Sequence, residues 1–363
     1  MSDFFSNCKS LEKVSLPDSL SSIGSYAFNG CAALTDIKMP TKLNSIGSYA
    51  FASCKNLEHI DIPSDVKSIG RDAFNSCGIS SITLPSGISV IQSDTFEGCG
   101  KLKTIIFEGK VTAIKSYAFR NCSQLQQVDL SAVTELGTYA FFGCSSLDGV
   151  QLKEGLPSIP SYCFYGCASL SEVSIPESVT SIGNYAFSGC SLLEELVFPN
   201  TITSLPSYVC SNCSSIKSIT LGASVETVGD YAFSGCTSLS VINLPDGIKT
   251  LSSYAFENCS SLTSLVLPAK LTEISYALFS GASKLESVIV PAGVNNFRGS
   301  AFARCKSLRN LTVYAINPPA LSGSNYFKDT SDDLVIHVPN ESLDTYKSAN
   351  YWSSYANRIV AIE

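Results

Sequence analysis

The sequence predicts an α/β solenoid: short repeating coils, each laying one strand into a parallel sheet on the concave side of a curved right-handed superhelix and returning through a short helical or 3₁₀ segment. Three observations predict it. Cysteines stand at 8, 31, 54, 77, 99, 122, 144, 167, 190, 213, 236, 259 and 305, each 22 or 23 residues after the last except at one double gap, where Ala282 keeps the beat. A fixed period of that length is the mark of a solenoid and not of separate globular domains. An aliphatic-x-aliphatic step follows each beat, as in Ile37-Lys38-Met39 and Leu265-Val266-Leu267, with the period of two that a short strand requires. Finally, only 15% of the 363 residues are charged while 45% are apolar, so the chain is no disordered polyelectrolyte.

Each element of the unit has a physical cause. Phe stands three residues before every beat, as in Phe28, Phe119 and Phe256, except where Cys210 replaces it. Pro usually follows the strand (Pro40, Pro63, Pro176, Pro268) and ends it, because Pro has no N–H to extend a ladder. Two further aliphatics such as Val179 and Ile182, then Gly-x-Tyr-Ala-Phe, suit the helical or 3₁₀ return. The residue before the beat is Gly or Asn in 11 of 14 units, the two types that best tolerate a left-handed backbone. Two units are one residue short, between Cys77 and Ile79 and after Leu130, where the Pro is missing. One unit buries too few side chains to offset the entropy of ordering its own backbone, so the units must stack. The array occupies residues 1–313, and a C-terminal capping segment follows at 314–363. In that segment the period lapses; Pro318-Pro319 and a polar loop to about Asp333, then a strand, a helix near 341–349 and a final strand at Ile359-Val360 are expected, with Tyr346, Tyr351, Trp352 and Tyr355 covering the last coil.

The unit Cys-x-x-Leu-x-x-Ile-x-Leu-Pro … Ile-Gly-x-Tyr-Ala-Phe resembles the BspA-like class of bacterial leucine-rich repeats, over about residues 3–313, and the segment from Val335 to Tyr355 is similar to the closing segment of such arrays. The resemblance implies a leucine-rich-repeat solenoid displayed at the cell surface or secreted, used for adhesion to host proteins or to other bacteria. It implies no catalytic motif and no cofactor. The repeat opens mid-unit at Asp3-Phe4-Phe5, so an export signal or further repeats are expected ahead of Met1.

The net charge of −7 excludes general attraction to nucleic acid or anionic lipid, and no apolar run is long enough to span a bilayer. His59 and His337 are too far apart to suggest a catalytic triad, and no hydrolase, phosphate-loop or dinucleotide signature occurs, so no enzyme is expected. The odd total of 15 cysteines resolves into 13 beats and two core substitutions, Cys163 and Cys210; a ladder of reduced, buried thiols is expected, with no metal site. The strand positions that face away from the core are the candidate partner-binding surface. Early repeats place charge there, including His59 and Asp61, and from the ninth repeat the surface turns apolar through Val197, Val241, Val266 and Ile289, with Glu194 and Glu195 at its edge. The partner expected is a protein, such as an extracellular-matrix or bacterial surface protein, bound outside the cell. Two rival readings are an intracellular scaffold, which reduced thiols favour, and a carbohydrate-binding module using the row of repeat tyrosines.

Overall fold

A computed structural model describes residues 3–362. The fold is a solenoid of about 15 turns built from parallel strands, with few helices. The chain forms two compact units, Met1–Ser191 and Leu192–Glu363. Coils are numbered here by their cysteine beats, from coil 1 at Cys8 to coil 14 at Cys305.

Within the first unit the predicted strands lie at the Ile-x-Leu steps: Lys13–Ser15 pairs with Asp36–Lys38, Ser81–Leu84 with Thr104–Phe107, and Gly149–Gln151 with Glu172–Ser174, all parallel and in repeat register. Among the described residues, coils 3 and 6 form no strand at the equivalent positions, 59–62 and 127–130; coil 6 keeps a single bridge, Thr104 to Gln127. Coil 6 has a visible cause. Asp129 Oδ1 accepts the backbone N–H of Ser131 at 2.9 Å, an Asx turn that stands where the Pro is missing and competes with the ladder. In the second unit the strands at Glu195–Val197, Ser218–Thr220 and Val241–Asn243 form one sheet, and Ser264–Val266, Ser287–Val290, Asn310–Val313, Val335–Val338 and Ile359–Ala361 another.

The return half corrects one expectation. Among the described residues it is neither helical nor 3₁₀ in coils 1–14; the Val-x-x-Ile step instead ends in a two-residue strand, such as Ser22–Ile23, Ser45–Ile46 and Ser68–Ile69, which builds a second parallel ladder. The Tyr-Ala-Phe segment is a chain of turns. The residue before the beat has positive φ, as expected, but so does the repeat tyrosine, from Tyr26 at 58° to Tyr254 at 61°, and a segment with a left-handed residue at both ends of a five-residue stretch cannot be a helix. The left-handed residues point the amides along the stack, so that Tyr26, Phe28 and Gly30 donate to the carbonyls of Ser48, Ala50 and Ala52 in the next coil at 2.8–2.9 Å.

The interior is a set of ladders. Phe5, Phe28, Phe51, Phe74, Phe96, Phe119, Phe141 and Phe164 stack at 5.3–5.6 Å, with interplanar angles of 11° or less. The cysteines beyond Cys8 are buried. Most thiols at the beat donate to the carbonyl of the Phe position one coil earlier, as in Cys31 to Phe5, Cys99 to Phe74, Cys122 to Phe96 and Cys144 to Phe119, each at 3.0 Å, whereas Cys77 donates to the carbonyls of Cys54 and Leu57. A cysteine here is a small apolar filler that also satisfies a buried acceptor. Burial pushes the Cys77 and Cys305 thiols up to about 12 and raises others, such as Cys99, well above the ordinary thiol range. Cys210, in the Phe position, leaves room that Phe233 takes up by tilting 33° from Phe256.

One further coil lies inside the segment expected to be cap. Phe327 stacks on Phe302 at 5.7 Å, Asn325 and Asp329 take the two left-handed positions, and Val335–Val338 continues the sheet. The helix spans Leu343–Ser348 and the last strand Ile359–Ala361. Tyr346 and Trp352 are buried, their Oη and Nε1 donating to the carbonyls of Ala315 and Pro319 at 2.8 and 2.7 Å. Tyr355 meets the Phe327 ring edge-on, whereas Tyr351 is exposed. Among the described residues no helix is long and apolar enough to cross a membrane.

Candidate functional site

In the three-residue strands at the Ile-x-Leu steps of coils 9–12 the middle side chain enters the core and the outer two face out, the pattern expected of a sheet open on one side. Two outward rows result. In the second unit Glu195, Ser218 and Val241 are register partners in one row, and Val197, Thr220 and Asn243 in the other. Val266 is paired with Ile289, which is followed by Thr312 and His337.

The candidate residues are therefore brought together only in part. Val197, Val241 and Val266 are 57, 62 and 65% exposed, and Ile289 is half-buried. Val266 and Ile289 are direct neighbours, but Val241 stands in the opposite row, and Thr220 and Asn243 follow Val197 in its own. The face is a neutral mosaic of β-branched, hydroxyl and amide side chains and not an unbroken apolar strip. The repeat pattern held this information, since residues exactly 23 apart share a row and Val197 and Val241 are 44 apart. Glu194 is held by Lys217 at 2.8 Å and Glu195 is exposed. In the first unit His59 and Asp61 are exposed and pair with each other at 3.1 Å. His337, in the second unit, lies 3.3 Å from Asn310 Oδ1.

Where a strand drops out of the ladder, the open face is hollowed. A groove of about 420 Å³ lies over coils 3–5, lined by His59, Asp61, Thr83, Ile106 and Glu108 among others. A larger one of about 590 Å³ lies over coils 5–8, with Ile106, Phe107, Asp129, Asp148, Gly149 and Glu172 around it. The sequence showed the missing Pro and the short units, but not that the strand would leave the sheet.

The tyrosines form the expected outer row, with a geometry that bears on sugar binding. Tyr117, Tyr139, Tyr162 and Tyr185 stack at 4.5–4.9 Å within 11° of parallel, as do Tyr208, Tyr231 and Tyr254 at 4.3–4.6 Å. Rings stacked so closely cover each other's faces and leave edges and hydroxyls outward, so no face is offered to a pyranose. Two breaks in the row carry Asp72 and Asp94, buried in the tyrosine position. With Glu97 they bring three carboxylates within 4.8 Å of one another. Arg71 bridges Asp72 and Asp94 at 3.0 and 3.1 Å and Arg120 holds Glu97 at 3.0 Å, so each carboxylate has an arginine partner and two of the three charges are offset from within. The break in Gly-x-Tyr-Ala-Phe at Arg71-Asp72 and Ser93-Asp94 was the signal that could have found it.

The comparisons agree with this architecture. A leucine-rich repeat protein from Bacteroides ovatus is similar at 25% identity, with a TM-score of 0.74 over 100% of this chain and 87% of that one. One from Eubacterium ventriosum is similar at 23% identity and a TM-score of 0.52, over 75% of this chain and 82% of that one. The pneumococcal vaccine antigen PcpA has 20% identity and a TM-score of 0.50, over 97% and 79%. The last two likenesses show the fold alone. No curated protein matches the chain. The family described as BspA type Leucine rich repeat region matches residues 1–126, 112–236 and 203–331, which together take in nearly all of the chain, and with the coil geometry above the chain belongs to that family.

Proposed function

We propose that this protein is a non-enzymatic binding protein, displayed at the cell surface or secreted, that holds a protein partner against the open face of its strand ladders. One observation carries the reading: the outward strand positions of residues 192–362 expose Val197, Val241 and Val266 on regular strands among Ser, Thr and Asn. Exposed valines on a rigid sheet cost little conformational entropy when a partner covers them, and their neutral neighbours pay little desolvation. Adhesion to a matrix protein or to another bacterial surface protein is the role that fits such a face. Support for the location comes from the family; reduced cysteines argue for the cytosol only where they are accessible, and here all but Cys8 lie in the core.

The test is solid-phase binding to extracellular-matrix proteins, with Val241→Asp and Val266→Asp. Each places a charge where a contact would be desolvated, and about a tenfold loss is expected from at least one of them. Unchanged binding by both would reject the face. Labelling of intact cells by an impermeant amine reagent should reach exposed lysines such as Lys249; labelling only after lysis would favour the intracellular scaffold.

A further inference from the structure

We propose that the groove over coils 5–8 is a docking site for a basic, extended segment of the protein partner, one or more Lys or Arg side chains lying among Asp129, Asp148 and Glu172 with their aliphatic stems against Ile106 and Phe107. The proposal deepens the binding function above and rests on it. Three observations carry it. The first is shape: coil 6 leaves the ladder between Thr104–Phe107 and Gly149–Gln151, and about 590 Å³ opens there, with Gly149 contributing no side chain.

The second is charge. Several carboxylates elsewhere on the molecule are matched by a cation from another coil, as in Glu58 with Lys101, Glu97 with Arg120, Glu135 with Lys115 and Glu226 with Lys249. Among the described residues Asp129, Asp148 and Glu172 have no such partner, and the groove is lined by no Lys or Arg. The Ser131 hydroxyl and N–H hold the Asp129 carboxyl below the usual range, so it is ionised at neutral pH.

The third is spread. The three carboxylates do not converge as Asp72, Asp94 and Glu97 do, which argues against one small cation. They are distributed across coils 6–8, and the groove spans about 14 Å of the stack, the reach of four or five extended residues. Ile106, 58% exposed at one end, supplies the apolar wall that a lysine or arginine stem packs against.

The experiment is fluorescence anisotropy with a labelled octapeptide of alternating lysine and valine, the glutamate–valine octapeptide serving as control. The variant D129N/D148N/E172Q removes the three charges, and Asn keeps the Asx turn to Ser131. A second triple variant, D246N/E286Q/D344N, removes the same charge from exposed positions elsewhere. The lysine peptide should bind the native protein, lose about tenfold in affinity with the groove variant and change less than about twofold with the other. Ile106→Ser should weaken it by about threefold. Equal losses in both triple variants would reduce the effect to net charge and overturn the site, as would equal binding of both peptides or no binding of the lysine peptide. Any of these, together with a binding defect in Val241→Asp or Val266→Asp, would remove the groove and leave the open face standing; intact groove binding with both valine variants unaffected would do the reverse.

Discussion

The strand ladders of residues 3–191 and of residues 192–362 are built from the same repeat and differ in continuity. At the Ile-x-Leu steps the first unit has three two-stranded patches separated by coils 3 and 6, and the second a three-stranded and a five-stranded sheet. Their outward faces differ with them: Lys13, Asp36, Lys38, His59, Asp61, Asp129 and Glu172 charge the first, while from Ser218 to Val335 the strands at the Ile-x-Leu steps of the second carry no charge. Yet the interior hardly notices. Phenylalanine stacking continues past both gaps, and the thiol-to-carbonyl ladder continues past coil 6 through Cys144 to Phe119, while beside coil 3 Cys77 donates instead to the carbonyls of Cys54 and Leu57. Stability resides in the interior and in the turn ladder, which frees the strand face to vary. That is why binding is looked for on the strands and not on the turns.

The thiols give the largest expected effect and the sharpest contrast between the units. Burial raises at least eight of them in the first unit, Cys31, Cys54, Cys77, Cys99, Cys122, Cys144, Cys163 and Cys167, and four in the second, Cys210, Cys236, Cys259 and Cys305. Below the ordinary thiol range, about pH 8.5, the thiol is protonated in both folded and unfolded chains and contributes no pH dependence. Above it the unfolded chain releases protons that the folded chain keeps, so stability falls as pH rises towards the raised folded values, by about 1.4 kcal/mol per pH unit for each thiol. Residues 3–191 should therefore lose protection at a lower pH than residues 192–362. Pulsed alkylation between pH 8 and 11, followed by peptide mass analysis, reads this directly; simultaneous labelling of both units, or earlier labelling of the second, would contradict the account.

A pair of matched truncations tests the strands themselves. Val288, 1% exposed within the five-stranded sheet, should cost about 2 kcal/mol when changed to Ala, while Val128 in coil 6, half-buried and outside any ladder, should cost less than about 1. Urea unfolding of the two variants measures both. Equal losses would mean that coil 6 packs as well as a ladder strand, and the contrast between the units would then rest on hydrogen bonding alone.

Much of this was legible in the chain because a repeat samples each position about 14 times. Phe, Cys, the aliphatics and the left-handed Gly or Asn were read correctly since each answers to a local rule that recurs. The return was misread as helical or 3₁₀ because a positive φ at tyrosine has no composition signal: tyrosine is not a residue that chooses the left-handed region, and only hydrogen bonds to the next coil, such as Tyr26 N–H to Ser48 O, hold it there. The fifteenth coil was hidden by insertions that move its beat to Thr330, 25 residues after Cys305, with no cysteine to mark it. The grooves escaped for a further reason. They are made by a strand's departure from its neighbours, a relation between coils that no single unit displays.

The smallest expected effect isolates that departure. Asp129 holds the Asx turn to Ser131 and points outward, so Asp129→Thr removes the turn's acceptor and offers the strand a β-branched residue in its place. If the turn is what keeps coil 6 out of the sheet, residues 127–130 should join Thr104–Phe107 and Gly149–Gln151, gaining about 0.5–1 kcal/mol from hydrogen bonds now satisfied within the ladder. Hydrogen exchange at the amides of 127–130 should slow towards that of Ile219, while the lysine–valine peptide loses its groove. Asp129→Asn, which removes the charge but can keep the turn, should weaken the peptide without slowing exchange. Should Asp129→Thr leave exchange at these amides unchanged, the cause of the gap would lie in the missing Pro and the shortened loop, and the Asx turn would be a consequence of the gap and not its source.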